Sequence, residues 1–238
     1  MDEPESLNRI SFITEYKKSD GLSDIHDVII NRRSVRTFNK IRPDNELILE
    51  ILDVARWAPS HCDTQDVYFL IIDNEKIKQQ LVDLGGAATI NSAPVGVLVL
   101  YSNSSDNPEY KDYIQSGAAV VQNVLLYAYS MGLGTCWIAH LPRKSDLRKL
   151  LGIPAMYDPI AYIIMGYPLK AHRSVPRKHE IQEIVSFNTF DKDHFQSNNN
   201  IQKKVKLFFR KIYYKLPLIL KRIVNPIVDR FFVKKFGD

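Results

Sequence analysis

Residues 113–141 read YIQSGAAVVQNVLLYAYSMGLGTCWIAHL, and the architecture of the chain turns on them. From 113 to 134 the stretch is apolar nearly all round, the pattern of a helix buried on most sides rather than along one stripe. It ends in Gly-Leu-Gly, and residues 135–141 then read as a strand. Such a helix needs apolar cover on several sides, and the flanking sequence supplies it. VYFLIID (67–73) and APVGVLVLYS (93–102) are short runs rich in β-branched and aromatic residues, which predicts buried strands. EKIKQQLVDLG between them is helical and stops at Gly85-Gly86. Downstream, KSDLRKLLGIP predicts a short helix and DPIAYIIMGYP a further strand. Upstream, PDNELILEILDVARWAPS predicts a helix with Asp44 as N-cap, apolar Leu47, Ile48, Ile51, Leu52 and Ala55 at helical spacing, and Pro59 as terminator. The alternation implies a sheet covered by helices, without a strict βαβ repeat.

Charge divides the chain unevenly. Net charge is +5 over 238 residues, but residues 201–238 carry eleven Lys/Arg against Asp229 and Asp238, leaving the other 200 residues at −4. The basic segment has apolar residues at Ile201, Val205, Phe208, Ile212, Leu216, Ile219 and Ile223, a helical stripe that Pro217 and Pro226 interrupt. Packing on the body or a partner, an anionic membrane interface and nucleic acid are the three candidate destinations. The composition matches an in-plane amphipathic helix best, and no phosphate-tracking or base-reading element supports nucleic acid. QSNNN (196–200) reads as a polar hinge before it. The expected organisation is an extension at 1–24, a main domain at 25–195, and hinge plus tail at 196–238.

Two cysteines, Cys62 and Cys136, are too few for a disulfide framework, which favours a reducing compartment. The acidic opening MDEPESLNRISF lacks the apolar run of a secretory signal, and no window is long and apolar enough to span a bilayer. The expectation is a cytoplasmic protein, at most peripheral on the membrane face. Walker, GxSxG and HExxH motifs are absent, and GLGTCW precedes a strand, so it is no Rossmann fingerprint. Cys62 with His61 and Cys136 with His140 are two pairs, short of the closed ligand set of a zinc site, so no metal is expected. A redox role for Cys62 competes with simple packing.

NRRSVRTF (31–38) gathers Arg32, Arg33 and Arg36 around Ser34. Three guanidiniums at this spacing repel one another unless an anion or solvent lies among them, so a bound phosphate and a solvated helix end are the two readings. Its company matters: WAPSHCDTQ, GLGTCWIAHL and MGYPLKAHRSVPRK follow in order. This succession over about residues 25–186 resembles the FMN-dependent nitroreductase family.

The resemblance implies an α+β fold with a central, mainly antiparallel sheet wrapped by helices, and a homodimer with FMN at the interface. It places Arg32, Arg33, Ser34 and Arg36 on the FMN phosphate and pyrimidine edge, and Arg177 with Lys178 as the late basic residues completing the phosphate site. Asp63 and Gln65 match the family's Asn-x-Gln. Ala139 and His140 fall where a backbone N–H meets flavin N5, with Trp137 and Ile138 beside the ring; both are equally well explained as core residues. NADH or NADPH is the implied electron source, and a nitroaromatic, quinone or other conjugated acceptor the destination. No side chain is expected to act as a nucleophile. Asp63 departs from the family's Asn: an ionised carboxylate accepts hydrogen bonds but cannot donate them. Beside the pyrimidine it would disfavour negative charge on reduced flavin unless Arg36 offsets it; a loop-capping role is the alternative. Asp66-Val67 departs from Pro-Trp. Specialised dehydrogenase or dehalogenase chemistry on the same fold, or a membrane-surface binder, remain alternatives.

Overall fold

The computed structural model describes residues 25–170 and 175–190, with isolated positions Phe208, Ile212, Leu216, Pro217, Leu220 and Val224. The chain divides into two compact units, one comprising Met1–His172 with Asn225–Asp238 and the other Arg173–Val224.

In the first unit the order is α1 (Ile25–Asn31), α2 (Asn45–Ala55), β1 (Val67–Ile72), α3 (Glu75–Asp83), β2 (Val95–Ser102), α4 (Asp112–Ser130), β3 (Gly134–Ile138), α5 (Lys144–Leu151) and β4 (Tyr157–Gly166). The four strands form one sheet in the order β1-β2-β4-β3, and all three pairings are antiparallel. The α+β architecture with an antiparallel sheet is therefore as expected. β2 and β4 are central, and Val95 through Tyr101 are all buried, which explains their near-continuous apolar sequences.

Alternation along the strands divides the core by sheet face. Val95, Val97, Val99, Ala161, Ile163 and Met165 pack with Ile48, Ile51 and Leu52 of α2 and Val120, Val121, Val124 and Leu125 of α4. Leu98, Leu100, Tyr162, Ile164, Cys136 and Ile138 pack with Leu81 of α3 and Leu147 of α5. Fully burying an aliphatic side chain contributes about 1.5–3 kcal/mol, so the α4 residues alone anchor that helix firmly.

α4 stops where the sequence says it should. Gly132 takes φ 79°, Leu133 N–H donates to Ala128 O at 2.8 Å and Gly132 N–H to Tyr129 O at 3.0 Å, a Schellman closure. At the other end of the sheet Asp158 of β4, 8% exposed, accepts from Lys144 and Arg148 of α5 and from Tyr113 Oη of α4 at 3.2 Å. Burial pushes its carboxyl up, but the hydrogen bonds from Lys144 and Arg148 outweigh this and hold it below the usual aspartate range.

Several local expectations shift. Asp44 occupies the N-cap of α2 but its side chain makes no capping bond, and the helix closes at Arg56, ahead of Pro59. β3 ends at Ile138, before Ala139 and His140. The short α1 was not foreseen: of its residues only Val28 is buried, so its apolar pattern is not a core pattern. No helix of the described residues is long and apolar enough to cross a membrane.

Candidate functional site

The arginine segment is built onto β3. Arg32 N–H closes α1 by donating to Val28 O at 3.1 Å, and Arg33 Nη1 donates to the carbonyls of Ile30 at 2.6 Å and Arg32 at 2.8 Å. Arg33 thus spends one end of its fork on the last carbonyls of the helix, a role that favours cations there. The chain then extends. Ser34 bridges Thr135 in parallel, and Val35 N–H donates to Thr135 O at 2.9 Å. Phe38 bridges Pro168, Asn39 N–H donates to Tyr167 O at 3.0 Å, and Leu169 N–H returns to Thr37 O at 3.1 Å. The segment is therefore pinned to the sheet at both ends. This approach requires glycine at 134, because a Cβ there would lie 2.7 Å from the Val35 side chain.

Cys136, 3% exposed, marks where the basic residues converge. Burial pushes its thiol up, and Arg36, the Ser34 hydroxyl and Arg32 each pull the other way. Arg36 Nη1 also reaches the Ser34 carbonyl at 3.3 Å. Arg32, Ser34 and Arg36 thus act on Cys136, which the sequence had grouped with His140 instead.

Along the same strand Ile138 is buried at 5% while Trp137 is 41% exposed. Ile138 is a core residue, and Trp137 presents an indole surface beside the arginine segment's strand. Ala139 and His140 lie beyond the β3 ladder; the His140 carbonyl accepts from Ala87 N–H at 3.0 Å.

The second element is the loop 60–65. Cys62, Asp63 and Gln65 all have positive φ, at 45°, 54° and 51°. Left-handed non-glycine residues cost of order 1–3 kcal/mol each and persist only where surroundings impose them. Internal bonds do part of this: Asp63 N–H to Ser60 O at 3.3 Å, Thr64 N–H to His61 O at 3.0 Å, and Gln65 N–H to Ser60 Oγ at 3.2 Å. Gln65 Nε2 donates to Asp63 Oδ1 at 2.8 Å, so the carboxylate's side-chain bond is to its own loop. Pairing in this way turns the Gln65 amide so that its NH₂ faces Asp63. Buried polar groups hold the loop from outside. His61 N–H and ring Nδ1 both meet Ser116 Oγ of α4 at 3.0 Å, and Thr64 Oγ1 meets Tyr101 Oη of β2 at 3.2 Å. Ser116 carried no distinct sequence signal, since Gln115, Gln122, Asn123 and Ser130 are polar residues of the same run. Cys62 is exposed, and a hydrogen bond to Asp106 pushes its thiol up.

Arg177 and Lys178 belong to the second unit, where both are exposed. Among the described residues no group of three or more His, Cys, Asp or Glu is placed to hold a metal ion.

The donor set fits a planar, phosphate-bearing cofactor: guanidiniums and a hydroxyl at one end of β3, a half-exposed indole along it, and an acceptor–amide pair on the loop. Comparison with known proteins adds to this. The profile described as Nitroreductase family matches residues 29–87 and 82–167. An iodotyrosine deiodinase of Thermotoga neapolitana is 39% identical over 193 residues, covering 70% of this chain and 98% of that protein. An FMN reductase [NAD(P)H] of Bacillus subtilis is 25% identical over 184 residues, covering 69% of this chain and 73% of that one. The crystal structure of nitroreductase A from Vibrio parahaemolyticus superimposes with a TM-score of 0.68 at 21% identity, over 79% of this chain and 92% of that chain, which speaks for the fold.

Proposed function

Because the chain belongs to the Nitroreductase family, we propose that it is an FMN-dependent oxidoreductase that takes electrons from NADH or NADPH and delivers them to a nitroaromatic, quinone or other conjugated acceptor. The observation that carries this reading is the mounting of the arginine segment on β3, through the Ser34–Thr135 bridge and the Val35 N–H bond to Thr135 O, within the matched residues. When bound, FMN supplies the hydride-accepting and electron-donating chemistry at N5.

The chain's own residues bind and orient. Arg32, Arg33, Ser34 and Arg36 hold the phosphate end, since guanidinium forks match its oxygens and stay charged at every working pH. Asp63 and Gln65 meet the pyrimidine edge: Asp63 offers acceptors only, and Gln65 supplies the amide that Asp63 orients. Trp137 covers one side of the ring system. In this reading the backbone N–H groups of Ala139 and His140, past the end of the ladder, would meet flavin N5, where a fixed dipole would favour added electron density. A homodimer supplies the rest of the cover, the α4 surface being its core.

A second reading has its own support. Identity of 39% along nearly the whole length of the iodotyrosine deiodinase points to reductive dehalogenation of a halogenated aromatic on the same scaffold. The absorbance spectrum of the purified protein separates the two. Yellow protein bleached anaerobically by NADH or NADPH, and reoxidised by a quinone or nitroaromatic, supports the reductase. Yellow protein inert to both nicotinamides, but reoxidised by iodotyrosine after dithionite reduction, supports the dehalogenase. Colourless protein that takes up no added FMN removes both.

In this reading the tail lies at an anionic membrane surface on the cytoplasmic side, as its composition suits. Most of residues 201–238 lie outside the described residues, but Phe208, Ile212 and Leu216 of the apolar stripe are described, the first two at 62% and 43% exposure and Leu216 half-buried. Deleting 201–238 then abolishes co-sedimentation with anionic vesicles; binding that persists in the deletion assigns the contact elsewhere.

A further inference from the structure

The loop that carries Asp63 and Gln65 is held in a conformation its sequence does not favour. Three of its four residues from 62 to 65 are left-handed without being glycine. What holds it is a pair of buried hydroxyls on two rigid elements, one on each side of the two consecutive left-handed residues.

On one side is Ser116, 4% exposed on α4. Its Oγ–H donates to Asp112 O at 3.1 Å within the helix, which leaves two lone pairs. His61 N–H takes one and His61 Nδ1 faces the other, both at 3.0 Å. With the hydroxyl proton on Asp112 O, a ring proton on Nδ1 completes the pair, and the imidazole is held as well as the backbone. On the other side is Tyr101, 1% exposed on β2, whose Oη meets Thr64 Oγ1 at 3.2 Å. The Tyr101 ring also lies 5.9 Å from the His61 ring, so the two ties touch each other. Residues 62 and 63 make a tight left-handed turn between these anchors, which fix where Asp63 lies.

We propose that Ser116 and Tyr101 are positioning residues for flavin binding: they set the Asp63–Gln65 pair against the cofactor without touching it. The inference rests on the assignment of Asp63 and Gln65 to the flavin. Removing either hydroxyl leaves a polar group of the loop without its buried partner, and the loop relaxes toward ordinary backbone angles. Both the grip on FMN and the influence of the Asp63 carboxylate on the flavin then weaken together.

The test uses the full chain with FMN as probe, in Ser116→Ala, Tyr101→Phe and Ser116→Thr. Loss of free-flavin fluorescence on titration gives the dissociation constant, and spectroelectrochemistry gives the midpoint potential of the bound flavin. Ser116→Ala and Tyr101→Phe each weaken FMN binding on the order of tenfold. Ser116→Ala also moves the potential in the same direction as Asp63→Asn, and adds nothing further in the Asp63→Asn background. Ser116→Thr, which keeps the hydroxyl, restores both quantities. Hydrogen exchange at the His61 amide rises in Ser116→Ala while the β2 and β4 amides stay protected, which excludes general unfolding as the cause. If the wild type binds FMN and both hydroxyl-free variants match it in affinity and potential, the positioning role is overturned and the flavin assignment stands. If potential shifts from Ser116→Ala and Asp63→Asn simply add, Ser116 does not act through Asp63. If the wild type takes up no FMN, the assignment falls, and this inference with it.

Discussion

Replacing Gly134 by alanine tests how the arginine segment is mounted. The new Cβ would lie 2.7 Å from Val35 Cγ2 and 2.8 Å from both Cβ and Cγ1, where ordinary contact begins at 3.4 Å. Val35 must therefore retreat by about 0.7 Å, the difference between these distances. It cannot retreat alone, because its N–H is bonded to Thr135 O at 2.9 Å and Ser34 beside it bridges the same residue. Overpacking of this kind costs about 1–3 kcal/mol, which corresponds to roughly 2–12 °C in Tm for a domain of this size. Because Ser34 and Arg36 move with Val35, FMN affinity falls as well, on the order of tenfold for about 1.4 kcal/mol. Thermal unfolding by circular dichroism and flavin-fluorescence titration measure the two effects. Val35→Gly supplies the control: alone it removes the whole side chain, at roughly 2–4 kcal/mol, yet combined with Gly134→Ala it makes room for the new methyl, because the Val35 Cβ that stands 2.8 Å away is gone as well. The double variant is then at least about 1 kcal/mol more stable than the sum of the single losses requires. A Gly134→Ala protein with unchanged Tm and affinity, or strictly additive losses in the double variant, would refute the close approach as the reason for glycine.

Asp63→Asn removes a negative charge from the pyrimidine edge and raises the midpoint potential of bound flavin; a potential that is unchanged or lower contradicts the assignment. Asp158 is held below the ordinary aspartate range by Lys144 and Arg148, so it contributes stability that is fully present above the ordinary value near pH 3.9 and is lost as pH falls through the lowered folded value. Urea denaturation from pH 6 to pH 3 shows a fall in wild-type stability that is smaller in Asp158→Asn, and at pH 6 that variant is destabilised by roughly 3 kcal/mol through the two cations left in place. The exposed Cys62 thiol is pushed up mainly by its hydrogen bond to Asp106, so at pH 8 it reacts slowly with a disulfide reagent and Asp106→Asn speeds it, whereas buried Cys136 reacts only on unfolding.

Sequence showed the four strands and helices α2 to α5 because each carries a burial pattern set by its own neighbours. β2 and β4 read as continuous apolar runs because they are covered on both faces, whereas α4, expected to be buried on most sides, buries one stripe, Ser116, Gly117, Val120, Val121, Val124, Leu125 and Ala128. α1 escaped because its isoleucines are exposed: Ile25, Ile29 and Ile30 are 65%, 47% and 43% accessible, so hydrophobicity there does not report burial. The arginine segment was legible as residue types, and its mounting on β3 was not, since one bridge and one glycine contact leave no periodic trace. The Asp63 loop was least legible. Left-handed angles at Cys62, Asp63 and Gln65 have no glycine or asparagine to announce them, and the hydroxyls that impose them lie 55 and 37 residues away in the chain.

The bridge from Ser34 and Val35 to Thr135 has a further consequence, for the life of the protein outside its chemistry. β3 is the terminal strand of the sheet, and an uncovered terminal strand is a template on which other chains assemble. The arginine segment lies along that strand and adds like-charged side chains to it, so the residues assigned to the cofactor also act as a guard against fibre-like stacking. Selection on the two duties is therefore joined. A substitution that loosens the segment is therefore expected to raise aggregation as well as to weaken FMN binding.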